Sequence, residues 1–132
     1  MPLKLDNPAT IAPPLGLYSH TVEVPAGARL VFVSGQVGVR PDGTTPATLE
    51  EQADQVYANI VAALAAKNAP PSCIIKLTTF MVDDDPTGLI RNARRKHLGD
   101  HRPASTAVYV TRLVDPAWKV EIEAVAMIPE DR

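Results

Sequence analysis

The sequence predicts an α+β domain: one mixed β-sheet with two helices packed on one of its faces. Three observations lead there. Apolar residues recur at helical spacing between about 48 and 67, and a second helix is signalled from Asp85-Pro86 to about Leu98. The other apolar runs alternate or are rich in β-branched residues, so helices interleave with strands in the order ββ(β)-α-β-α-β-β. Finally, the most apolar strand pattern has two different faces. Val120, Ile122, Ala124, Ala126 and Ile128 share one, and Glu121, Glu123, Val125 and Met127 share the other.

Along the chain, residues 1–17 are punctuated by proline and read as an arm over the surface. His20 to Val24 and Arg29 to Ser34 read as strands joined in a first hairpin at Pro25-Ala26-Gly27-Ala28. Gly35 then permits a bulge or a close backbone approach, and Pro41-Asp42-Gly43 is a turn. In the first helix Leu49, Ala53, Val56, Ile60 and Leu64 form the apolar stripe. Thr48 with Glu51 three residues on is a capping box. Asn68 and Pro70-Pro71 end this helix, and Ile74 to Val82 is a central strand. Asp85 as cap with Pro86 in the first turn opens the second helix, and Gly99 stops it. Ala104 to Thr111 and Trp118 to Ile128 read as a closing hairpin.

Length and composition narrow the function classes. The 132 residues make a single domain, 1–132, with 45% hydrophobic and 21% charged residues. A net charge of −2 gives no overall field toward nucleic acid or anionic membrane, and no apolar run approaches the roughly 20 residues of a membrane span. The N-terminus is too polar for a signal peptide, and the lone Cys73 fits a reducing compartment, so a cytoplasmic protein is expected. Val125 and Met127 leave the second sheet face apolar, which predicts self-association.

Glu121 and Glu123 are the first candidates for chemistry, because carboxylates on a mostly buried strand need a partner or a task. Spacing alone leaves open whether one is a general acid or base, or whether both pair with basic groups across strands. Ser34-Gly35-Gln36 offers a hydroxyl and backbone amides to a ligand, or is simply a bulge. Tyr18 either closes a pocket or covers the core, and Asn92, an unfavoured helix residue, either reaches a ligand or faces solvent. Arg91, Arg94, Arg95, Lys96 and Arg102 against a single acid, Asp100, suggest a phosphate or RNA surface; a solvated helix face is the favoured reading. His97 and His101 lack a third ligand, so no metal or other cofactor is expected. Cys73 reads as packing.

Several segments together resemble the Rid (YjgF-like) reactive-intermediate deaminases, also called L-PSP endoribonuclease-like proteins. They are GLYSH at 16–20, VFVSGQVGV at 31–39, NIVAALAAKNAPPSCIIKLTTFMVDD at 59–84, Asn92, RPASTAVYVTRL at 102–113 and VEIEAVA at 120–126. The resemblance implies a chorismate-mutase-like fold, three subunits joining their sheets into a barrel, and small-molecule pockets at the subunit interfaces. It implies hydrolysis of reactive imines and enamines without metal or cofactor; other relatives are described as translation inhibitors or endoribonucleases. By position, Tyr18, Ser34, Gly35 and Asn92 match ligand-binding positions, and Glu121 matches the glutamate that orders the attacking water. Deaminating relatives carry an arginine where this chain has Ser105. A guanidinium grips a carboxylate through two parallel charge-assisted bonds, whereas a serine offers one neutral donor. The resemblance therefore implies either a deaminase with a different substrate or a metabolite-binding trimer without catalysis. An RNA-directed activity through residues 91–102 is the third reading.

Overall fold

The computed structural model describes residues 2–129. Six strands and two α-helices follow in the order β1 (Lys4–Asp6), β2 (Thr21–Glu23), β3 (Arg29–Val37), α1 (Leu49–Ala65), β4 (Ile74–Met81), α2 (Leu89–Leu98), β5 (Ala104–Tyr109) and β6 (Val120–Ile128). A 3₁₀ turn at Pro71–Cys73 precedes β4. The main sheet has the strand order β3-β6-β4-β5, antiparallel except for the parallel β4–β5 pair. Both helices contribute to the core on one face of this sheet, as the sequence predicts. Val56, Ile60 and Leu64 of α1 and Ile90 and Ala93 of α2 join Ile74, Leu77, Val120, Ile122 and Ala124 in one buried cluster.

The helix boundaries follow local chemistry. The Thr48 hydroxyl accepts from the Glu51 amide at 3.2 Å and donates to the Glu51 carboxylate at 3.0 Å. The cap is thus closed between side chains, not by a carboxylate reaching the Thr48 amide. Asn68, in a left-handed conformation at φ 57°, ends the turn after α1. The second helix begins later than expected, at Leu89, because Gly88 takes φ 72° and breaks the run from Pro86. Asp85 still caps it, accepting from the amides of Leu89 at 2.8 Å and Ile90 at 2.9 Å.

Two pairings differ from expectation. β2 does not pair with β3; it pairs with β1 in a separate two-stranded sheet, with Lys4 opposite Glu23 and Leu5 opposite Val22. β5 and β6 do not form a hairpin either, because β4 lies between them. A tight hairpin needs a loop of two to five residues, and the stretch 110–119 is long enough to step over the end of β4. Val110 bonds Met81 O at 2.8 Å, and Lys119 O accepts from Val82 N at 3.2 Å, so this link is tied to β4 at both ends. β3 and β5 are consequently the two free edges. Among the described residues, no helix is long and apolar enough to cross a membrane.

Candidate active site

The sheet face turned away from the helices carries the glutamates. Between Val33, opposite Ala124, and Gln36, opposite Ile122, the register of β3 shifts, so Ser34-Gly35 form a bulge against Glu123. A Cβ on Gly35 would run into Glu121 Oε2 and lie 2.9 Å from its Cδ. Only a glycine lets the carboxylate rest against this stretch of backbone. Among the described residues, the cross-strand ion pairs that would give the glutamates a purely structural role are not formed. Lys119 pairs with Asp83 at 3.3 Å, and Lys76 donates to Thr106 at 2.8 Å. The surrounding face is apolar, with Leu30 50%, Phe32 68% and Val108 41% exposed; Met127 on the same face is 7% exposed.

Ser105 faces the other way. In the parallel ladder it is level with Leu77, and Ala107 with Thr79, which places both on the helix side of β5. There a cavity of about 220 Å³ opens between β4, β5, α2 and the N-terminal arm. Leu17, Met81, Ile90 and Ala107 supply apolar wall, while Thr79, Ser105 and the Tyr57 phenol add polar groups. Burial pushes the Tyr57 phenol up to about 12, so it is a neutral donor at ordinary pH.

The charge in this cavity comes from α2. Arg94 donates from Nη1 to Ser105 Oγ at 3.1 Å and from Nη2 to the Leu17 carbonyl. Its Nε is buried without a hydrogen-bond partner, and Arg94 forms no ion pair among the described residues. Burial, followed by the nearby Arg102, holds its pKa below the usual arginine value. Arg91, one turn earlier, also lines the cavity.

The other expected site residues are spread more widely. Asn92 does not face the Ser105 cavity. One residue on from Arg91 is 100° around a helix, which points Asn92 toward α1 and a larger hollow of about 380 Å³. Apart from Glu50, the charges lining that hollow are paired. Arg40 meets Glu51 at 3.5 Å and Lys96 meets Asp54 at 2.7 Å, while His97 joins Asp54 at 2.8 Å. The Tyr18 hydroxyl turns back into the arm and accepts the Leu15 amide at 3.1 Å; its neighbour Leu17 is the arm residue that lines the cavity. Arg102 lies behind Arg94 in a second small hollow, which Leu17 and Arg94 also line, together with Arg95 and Asp100; Arg94 and Asp100 form no ion pair among the described residues. The structure thus brings Ser34, Gly35 and Glu121 together, and separately brings Ser105 together with Arg94. Within one chain the two groups lie on opposite sheet faces with β4 between them. Among the described residues, no cluster of three His, Cys, Asp or Glu side chains could hold a metal ion.

Comparison with known proteins places this sheet, with its glutamate over a glycine bulge and two helices on the other face, in the class of small Rid-type domains. The family model described as Endoribonuclease L-PSP matches residues 9–128. The chain belongs to this Rid (YjgF-like)/L-PSP family. It is 33% identical over 117 residues to "Putative reactive intermediate deaminase TdcF" of Escherichia coli, covering 86% of this chain and 88% of the relative. It is 30% identical over 117 residues to "2-iminobutanoate/2-iminopropanoate deaminase" of Dermatophagoides farinae, covering 87% and 88%. Among solved structures, the Rid-family protein YyfB of Yersinia pestis superposes with a TM-score of 0.85 at 29% identity, covering 96% of this chain and 99% of that one. TdcF of E. coli with bound serine superposes at 0.69 with 32% identity, covering 92% of each.

Proposed function

We propose that the protein is an imine or enamine hydrolase whose site is completed between subunits of a homotrimer. The observation that carries this reading is the Glu121 carboxylate held against the Gly35 backbone at the β3 bulge, where no basic partner among the described residues neutralises it. A carboxylate so placed can hold a water and accept its proton as the oxygen attacks an imine carbon. The carbinolamine formed then expels ammonia and leaves a carbonyl, so one water is consumed for each ammonia released. An enamine enters the same route after a proton shifts to carbon and gives the imine.

Assembly joins the two halves. β3 and β5 are opposite free edges of the sheet, and a head-to-tail ring brings unlike edges together. The exposed side chains of Leu30, Phe32 and Val108 provide apolar surface for that contact. In this arrangement Ser34, Gly35 and Glu121 of one subunit meet the Ser105 cavity of the next. The names of the deaminase relatives support the chemistry. The basic stretch 91–102 does not favour an RNA-directed reading: Arg91 and Arg94 line the cavity, and Lys96 is paired with Asp54.

The test generates imines with an amino-acid oxidase and lets semicarbazide compete with the protein for each one. Wild type is expected to suppress semicarbazone formation, and Glu121→Gln to lose at least about a hundredfold of that activity. Equal activity in the two proteins removes Glu121 from the mechanism.

A further inference from the structure

Serine at 105 leaves β5 without a cation, and yet the cavity beside it is positively charged. Arg94 enters from α2, and its helical phase is unusual for a charged residue. It lies on the stripe of Ile90, Ala93 and Leu98 that α2 buries against the core. A guanidinium removed from water costs free energy unless an anion or a full set of acceptors meets it. Among the described residues it meets two neutral oxygens, Ser105 Oγ and the Leu17 carbonyl, and its buried Nε meets none. Among the described residues no acidic side chain lines the cavity, the second charged residue in its wall, Arg91, is also a cation, and Asp100, in the hollow behind, forms no ion pair with Arg94. The missing component is therefore negative. The space in front of Arg94, about 220 Å³ with Leu17, Met81 and Ile90 in its walls, suits a small organic acid with a short apolar chain.

We propose that Arg94 is the specificity-determining residue of this site, gripping the carboxylate of the ligand from α2 while Ser105 Oγ orients the guanidinium. The proposal deepens the hydrolase reading by fixing the charge class of the substrate. It also reverses what Ser105 suggests by itself. The grip on an anion is not lost from the cavity; a different element supplies it.

The test measures calorimetric binding of 2-oxobutanoate and of its neutral amide, 2-oxobutanamide, to the intact protein. Neither probe has a C=N bond to hydrolyse. Wild type should bind the acid at least about tenfold more tightly than the amide, as expected for a hydrogen-bonded charge. Arg94→Ala should abolish that preference, and Arg91→Ala should reduce it by a smaller factor. Ser105→Arg places a second guanidinium against Arg94 and should weaken acid binding, whereas a site that simply lacked its arginine would gain affinity. Equal binding of acid and amide by wild type, no binding of either, or tighter acid binding by Ser105→Arg overturns the proposal. The wild-type comparison stands even if a variant fails to fold, which thermal unfolding of each variant reveals. Acid selectivity dependent on Arg94 without ammonia release from any imine sinks the hydrolase reading and keeps the anion site. Turnover by a protein indifferent to the acid group does the reverse.

Discussion

Gly35 and Glu121 lie on neighbouring strands, and the carboxylate of Glu121 fills the space a side chain at 35 would need. The obstacle to an alanine there is the mobile end of a side chain. Gly35→Ala should therefore change stability by less than about 1 kcal/mol while pushing the carboxylate off its station. Imine turnover is expected to fall at least about tenfold with an almost unchanged melting temperature. Unaltered turnover would show that the position of Glu121 over the bulge is immaterial.

Gly38 is a contrasting case. A Cβ on it would lie 2.7 Å from the Cα of Gln52, which is backbone. Gln52 is 1% exposed and cannot yield, since its amide donates to Pro46 O at 2.9 Å and Ala117 O at 3.0 Å and its oxygen accepts Lys119 N at 2.8 Å. Gly38→Ala should cost about 1–3 kcal/mol in chemical denaturation. A melting curve matching wild type would contradict that.

Asp85 holds the first turn of α2, the helix that carries Arg91 and Arg94. Asp85→Ala should lower stability by about 1 kcal/mol, the usual cost of a lost cap. It should also weaken acid binding several-fold, because the frame behind both arginines loosens. Weakened stability with intact binding would separate the helix start from the cavity.

Asp54 gives the protein a pH-dependent contribution. Hydrogen bonds from Lys96 and then His97 hold its carboxyl below the usual aspartate range. A depressed carboxyl stabilises the fold above its unfolded value near pH 4, and this is lost as pH falls through the lower folded value. The side chain is 43% exposed, so the effect is discounted for solvent screening to less than about 1 kcal/mol. Asp54→Asn should be slightly less stable than wild type at pH 7, with the gap closing in acid; a gap that widens in acid contradicts the sign.

Phe32 is 68% exposed on the face away from the helices. Phe32→Asp should shift the sedimenting species from three copies toward one. A wild type that already sediments as a single copy removes the proposed trimer and the shared site with it.

The parts legible in the sequence are those governed by local period and local caps. α1 is read from Leu49, Val56, Ile60 and Leu64, and its Thr48 cap forms. The alternation of β6 correctly separates Val120 and Ile122 from Glu121 and Glu123. Strand partners were less legible, since they depend on the order of the whole sheet. β4 inserts between two strands that look like a hairpin, and β2 finds β1 across the proline-rich arm. The site divides along the same line. The Gly35 bulge was visible because glycine announces it, but Arg94 was hidden in a basic run that reads as solvated. The available signal was its phase: on a helical wheel Arg94 falls between Ile90 and Leu98, on the stripe that packs inward. Asn92, one position and so 100° from Arg91, lines the other hollow within the chain.

The register of β5 has an evolutionary consequence. Ser105 and Ala107 look into the cavity, while Thr106, bonded to Lys76, and Val108 look out on the open face. Substitutions at the odd positions therefore act on the cavity wall, and those at the even positions act on the open face and on the proposed subunit contact of Val108. Loss of one residue from β5 would exchange the two sets at once. Descendants of this chain are therefore free to drift by replacement along β5, but not by deletion.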